Sequence, residues 1–195
     1  IVNNAALIVD RTGTLTLTGA ITGSGSLTKR GAGTLVLTND CTYAGGTVAY
    51  APLVEPDFHF DLDSLESLIT PKTKMIIINS PQRPNGMTVG QLPEIAALCA
   101  EHNVIALTDE IFSHMVYSGA VHKTIAAVEG MADRSILVDT FSKTYIMTGF
   151  RIGWCVANKD LITTMDIFQQ NSVTNVPAFV QLAALAAITG PQDHV

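Results

Sequence analysis

Four short apolar runs, separated by text with helical spacing, restrict most of this chain to one architecture. They are Met75–Asn79, Val104–Leu107, Ser135–Val138 and Arg151–Val156. Met75–Asn79 is apolar throughout and ends in a Pro/Gly turn, as a strand buried on both faces would be. Asp63 and Glu66 form a capping-box pattern ahead of Leu65, Leu68 and Ile69. Thr88 and Gln91 form a second, opening a helix whose apolar face is Leu92, Ile95, Ala96 and Cys99. Pro177–Ile188 reads as an Ala/Leu-rich helix packed in the core, with Met147, Met165 and Phe168 as further core candidates. Alternation of this kind predicts an α/β fold, a mostly parallel sheet with crossover helices and chemistry at the C-terminal strand ends.

Residues 1–47 are written differently. From Thr12 to Thr47 the chain is largely Gly, Thr and Leu, and Gly13–Thr18 (GTLTLT) returns as Gly33–Thr38 (GTLVLT). Thr/Leu alternation has the period of a strand buried on one face, and the glycines mark turns. Short strands recurring at about twenty residues are what a β-solenoid requires, and solenoid coils need stacked neighbours. The expected division is 1–47 and 48–195. At the joint, Tyr43-Ala44-Gly45-Gly46-Thr47 fits the end of one text and the start of the other, as at a junction between sequences of different origin.

Of 195 residues, 47% are hydrophobic and 14% charged, which supports a packed core rather than a disordered chain. The net charge of −6, without any Lys/Arg run, argues against a nucleic-acid partner. Cys41, Cys99 and Cys155 lie far apart without metal spacing and read as free thiols in a reducing compartment. His59, His102, His114, His122 and His194 likewise show no metal spacing and read as structural or surface residues. No apolar run has the length of a membrane span, and residues 1–10 lack the basic start and cleavage site of a signal peptide. The first residue is isoleucine, as in a fragment of a longer chain.

The chemistry concentrates in Asp139–Gly153, DTFSKTYIMTGFRIG. Lys143 follows an apolar run, with hydroxyls on either side and Arg151 eight residues on. A lysine leaving a buried strand is partly desolvated, and its amine becomes usable as a nucleophile. Hydroxyls and a guanidinium are what a phosphate needs nearby. Together these residues read as a Schiff-base lysine with part of a phosphate cradle, the layout used with pyridoxal 5'-phosphate; the blander alternative is a solvated lysine in a turn. Asp109 ends another strand and suits the proton of a pyridine nitrogen, whereas Glu110 reads as a solvated charge or a support for its neighbour. Tyr117 and Tyr145 read as packing residues.

Three motifs in order, NSPQRPNG (79–86), TDEIFSHMVY (108–117) and TFSKTYIMTGFRIGW (140–154), resemble the class I/II aminotransferases, fold-type-I pyridoxal phosphate enzymes. The resemblance covers about residues 45–195 and implies part of that family's large domain. It also implies transfer of an amino group between an amino acid and a 2-oxo acid, a homodimer and a cytoplasmic setting. It gives Lys143 the Schiff base and the proton transfer, Asp109 the ring nitrogen, and Thr140, Ser142 and Arg151 the phosphate. Two positions depart from the family pattern. Arg83 stands where an asparagine is usual, and Phe112 where a tyrosine usually meets the ring hydroxyl. Arg83 either takes over that oxygen or a substrate carboxylate, or points to solvent.

The family's glycine/serine-rich phosphate loop, the aromatic that stacks on the ring, and the small-domain arginine for the substrate carboxylate are not seen in this sequence. Residues 12–47 are similar to the autotransporter-associated β-strand repeat of secreted surface proteins. That similarity implies a parallel β-helix and leaves two alternatives to an active enzyme. One is an inert chimeric fragment with a structural β-repeat. The other is a cofactor-binding module completed by a partner chain.

Overall fold

The computed structural model describes residues 6–10, 15–17, 26–30 and 35–37 as backbone, and 48–82, 86–117, 119–172, 174–193 and 195. The chain divides into two compact units, Ile1–Tyr50 and Ala51–Val195. Cys41, the Tyr43–Thr47 word, Arg83 and His194 lie outside the described residues.

The first unit contains β1 (Ala6–Asp10), β2 (Leu15–Leu17), β3 (Ser26–Arg30) and β4 (Leu35–Leu37). β1 pairs in parallel with β3 and β2 with β4. Ala6 lies opposite Ser26 and Leu15 opposite Leu35, twenty residues on in each case.

The second unit opens with a small antiparallel pair, β5 (Leu53–Val54) and β6 (His59–Phe60), then α1 (Leu62–Ser67). The cap of α1 is Asp61, whose carboxylate accepts from the Ser64 N–H at 3.3 Å, so the helix starts ahead of the predicted Asp63 box. β7 (Met75–Asn79) leads through a loop to α2 (Leu92–Glu101). The helix starts later than the Thr88 box predicts: Gln91, expected inside its first turn, stands at the cap position and makes no side-chain cap bond. Its amide instead pairs with the Phe60 backbone, accepting from N–H at 2.8 Å and donating to the carbonyl at 2.9 Å. Pro93 occupies the first turn of α2, where an N–H would have no helical partner.

β8 (Ile105–Asp109) and β9 (Ser135–Thr140) follow, then the single turn α3 (Phe141–Thr144), β10 (Gly153–Ala157), α4 (Lys159–Ser172) and α5 (Ala178–Thr189). The four-stranded sheet has the order β10-β9-β8-β7. β7, β8 and β9 run parallel and β10 antiparallel, so the expected mostly parallel sheet is found.

The core lies on one face of this sheet. Ile76, Ile78 and Ala106 meet Ile95, Ala96 and Cys99 of α2 in a single apolar cluster. β7 is not buried on both faces as its composition suggests: Ile76 and Ile78 are 8% and 1% exposed, Met75 and Ile77 38% and 66%. The reason is that α2 packs against one face, and side chains alternate along a strand. Phe168 is 75% exposed and α4 has no buried residue, so Met165 and Phe168 are not core positions. α5 buries Val180 and Ala184 and exposes Phe179 and Leu182, so its core-packing face is narrower than its sequence suggests. Cys99 is buried and Cys155 half-buried, both as free thiols. No helix among the described residues is long and apolar enough to cross a membrane.

Candidate active site

Strand alternation sends Asp109 and Glu110, at the end of β8, to opposite faces of the sheet. On one face, Asp109 stands in register with Asn79 at the end of β7. Asn79 Nδ2 donates to Asp109 Oδ2 at 3.0 Å, and the Ile111 N–H donates to Oδ1 at 3.2 Å. On the other face Glu110 is buried, so it is not a solvated charge. It accepts from Thr108 Oγ1 at 3.0 Å and contacts His122 Nε2 at 2.8 Å. Burial pushes the Glu110 carboxyl up, but hydrogen bonds from His122, Thr124 and Thr108 outweigh it and hold the group below the usual value. His122 Nδ1 is buried without a partner among the described residues.

Lys143 comes from the next strand end. β9 runs to Thr140, whose hydroxyl caps α3 by accepting from the Ser142 N–H at 3.1 Å. Ser142 is buried and Lys143 half-buried. Lys143 Nζ lies 5.9 Å from the centre of the Phe112 ring, three residues beyond Asp109. The amine therefore stands beside the loop that leaves Asp109. Lys143 is thus brought to Phe112, three residues beyond Asp109, with Thr140 and Ser142 in the same turn as the lysine. Arg151, at φ 54°, donates from Nη1 to the Thr148 carbonyl of its own loop at 3.0 Å and is exposed. Among the described residues no hydrogen bond joins it to Lys143, Thr140 or Ser142.

The Asn79 and His122 contacts were not anticipated from sequence. Asn79 could have been found from the two equal strands that end at Asn79 and Asp109. Nothing local signals the partner of His122, twelve residues from Glu110. Tyr145 donates to Gln192 Oε1 at 3.1 Å, and Tyr117 is largely exposed. Gly86, at φ +70°, lies close under Tyr117; a Cβ there would come within 3.1 Å of the ring. The His102, Glu66 and Glu101 donor atoms lie within 4.8 Å of one another on the exposed surface, although their sequence spacing does not suggest it.

A cavity of about 530 Å³ adjoins α3, lined by Asp139, Thr140, Tyr145, Trp154 and residues of α5. It shares Thr140 with the site, but neither Lys143 nor Asp109 lines it. Asp139 is buried at its wall, and burial raises its carboxyl above the usual value.

The donor set fits pyridoxal 5'-phosphate. An amine suits its aldehyde, a carboxylate its ring nitrogen, and hydroxyls its phosphate. Each Asp109 oxygen has accepted one bond and can take another. The Thr140 hydroxyl accepts from Ser142, which leaves its own proton to donate.

The model of the family "Aminotransferase class I and II" matches residues 36–195. The chain belongs to this family. Aromatic-amino-acid aminotransferase 2 of Thermococcus litoralis is 38% identical over 148 residues, which are 74% of this chain and 38% of that protein. The aspartate aminotransferase of Pyrococcus abyssi is 39% identical over the same shares. Among solved structures, the aromatic aminotransferase of Pyrococcus horikoshii OT3 superposes with a TM-score of 0.73 at 38% identity, over 76% of this chain and 40% of that one. The chain thus spans about two fifths of the length of these relatives.

Proposed function

We propose that this chain carries the cofactor-holding part of a pyridoxal 5'-phosphate-dependent aminotransferase, which moves an amino group between an amino acid and a 2-oxo acid. The observation that carries the reading is the approach of Lys143 Nζ to Phe112, which brings the amine to the loop leaving Asp109. The similarity to aspartate and aromatic aminotransferases supports it. When bound, the cofactor supplies a protonated ring that draws electrons from the substrate's α-carbon. Lys143 would hold the cofactor covalently through Nζ and then carry a proton to and from the substrate carbon. Asp109 would keep the ring nitrogen protonated. Thr140, Ser142 and Arg151 would donate to the phosphate. Phe112 brings no hydroxyl to the ring oxygen, and Arg83 would donate there or grip a substrate carboxylate. A homodimer and a cytoplasmic setting belong to this proposal, as does a boundary near residue 47.

The test is spectroscopic. The purified chain mixed with pyridoxal 5'-phosphate should gain an absorption band that borohydride removes and Lys143→Ala lacks. A missing band sinks the reading. A band without amino transfer from any common amino acid would mean a cofactor-binding module that needs a partner chain. In Arg83→Ala an unaltered spectrum and unaltered amino-acid affinity would remove Arg83 from the site.

One observation favours a second reading for the first unit. Both of its parallel pairs join residues twenty positions apart, as successive coils of a β-solenoid do. On that reading residues 1–47 are a structural repeat of a surface passenger protein, and the aminotransferase-like part is inert. The same absorption experiment separates the two.

A further inference from the structure

The Asp109 carboxylate is held at both oxygens by its own chain, by Asn79 Nδ2 on Oδ2 and the Ile111 N–H on Oδ1. The first bond arises because β7 and β8 end in register, with Asn79 opposite Asp109. From this geometry we infer that Asn79 is a positioning residue: it fixes the Asp109 carboxylate in place for the protonated ring nitrogen of the bound cofactor. This rests on the reading of Asp109 given above.

A primary amide suits the task for three reasons. It neither gains nor loses a proton in the working range, so its hold on Oδ2 does not change with pH, as a histidine's would. It is neutral, so it strengthens the carboxylate without cancelling the charge that must oppose the pyridinium, as an arginine would. And each carboxylate oxygen accepts more than one bond, so the amide leaves acceptor capacity for the ring N–H. Asn79 is itself exposed, and its side chain fills no part of the core, so its contact with Asp109 is not a by-product of packing.

Two variants of the full chain test this. Asn79→Ala removes the donor. Asn79→Leu removes it while keeping the approximate shape, so it should rescue a role that is only structural. The probe is pyridoxal 5'-phosphate labelled with ¹⁵N in the ring. In both variants the ¹⁵N resonance should move from the pyridinium toward the pyridine position, and cofactor affinity should fall about tenfold, the effect of losing one hydrogen bond to a charged group. An unchanged resonance in both, or rescue by leucine, overturns the inference. A second arm needs no cofactor: the Asn79 side-chain amide protons should exchange slowly and lose that protection in Asp109→Ala. Free exchange in the unsubstituted protein overturns the inference whether or not cofactor binds. Slow exchange without cofactor uptake upholds the hold on Asp109 and sinks only the cofactor reading.

Discussion

The two faces of the sheet are built to different standards. On the face under α2, Ile78 is 1% exposed and Ile95 and Ala106 are closed off completely. On the opposite face Ile77 is 66% exposed, and Asp109 and Asn79 lie there at the strand ends. One strand, β7, supplies both. Cohesion therefore comes from one face, while the groups suited to chemistry stand on the other, where a ligand can reach them. Adjacent residues can then serve opposite purposes: Glu110 is locked in the interior, and Asp109 remains available.

The contrast can be broken most directly by truncating one residue from each face. Ile95→Ala should cost about 4 kcal/mol, since a fully enclosed side chain leaves both lost burial and a cavity. Ile77→Ala should cost about 0.5 kcal/mol, as at an ordinary surface position. Urea unfolding of both variants measures this, and equal losses would end the distinction. Next in size is His122→Ala, which strips a hydrogen-bond partner from buried Glu110 and should cost about 3 kcal/mol. Glu110 is held below the usual carboxyl value, so its contribution is present above the unfolded value of 4.5 and is lost as pH falls through the lower folded value. Glu110→Gln should flatten unfolding stability across that acid range. Undiminished pH dependence would remove Glu110 as its source.

Much of this arrangement was legible beforehand. The order of β7 to β10, the strand ends that deliver Asp109 and Lys143, and the apolar face of α2 all follow from local periodicity, which a side chain's own neighbours determine, whereas α4 was not foreseen. What periodicity misses is which faces are covered. MIIIN reads as doubly buried because its composition is apolar throughout, yet Ile77 is open since no helix among the described residues packs over it. The same holds for Phe168 and for half of α5. Pairings across long loops are equally invisible: neither His122 with Glu110 nor Gln91 with Phe60 leaves a trace in spacing. Arg151 shows the limit for the site, because its place in a motif does not say that its guanidinium bonds to its own loop.

A smaller effect, expected at about 2 kcal/mol, concerns the close contact between β9 and β10. A Cβ on Gly153 would come within 2.8 Å of the Asp139 carbonyl, so Gly153→Ala must shift backbone rather than a side chain. Thermal unfolding should show the loss. Because Asp139 leads directly into Thr140 and α3, cofactor uptake at Lys143 should weaken with it. Full stability in Gly153→Ala would show that the strands separate freely there.

The smallest effect comes from Asp139 itself, and its sign is opposite to that of Glu110. Both carboxyls are buried, but burial dominates at Asp139 and raises its value above 3.8, even though the Thr140 N–H donates to it at 2.5 Å. A group raised in the folded state binds its proton more tightly there than in the unfolded chain. Stability is therefore lost as pH rises from 3.8 through the folded value, and the cost persists at neutral pH. Asp139→Asn removes that cost and keeps an oxygen to accept from Thr140. It should leave the protein slightly more stable at neutral pH and unchanged in strong acid, by a fraction of a kcal/mol. Glu110→Gln should do the reverse, with its loss at neutral pH and none in acid. Parallel pH profiles for the two variants would mean that what surrounds a carboxyl on the covered face does not set its sign, whereas opposite slopes tie the difference to the side-chain hydrogen bonds that Glu110 accepts from His122, Thr124 and Thr108, which outweigh burial there as those around Asp139 do not.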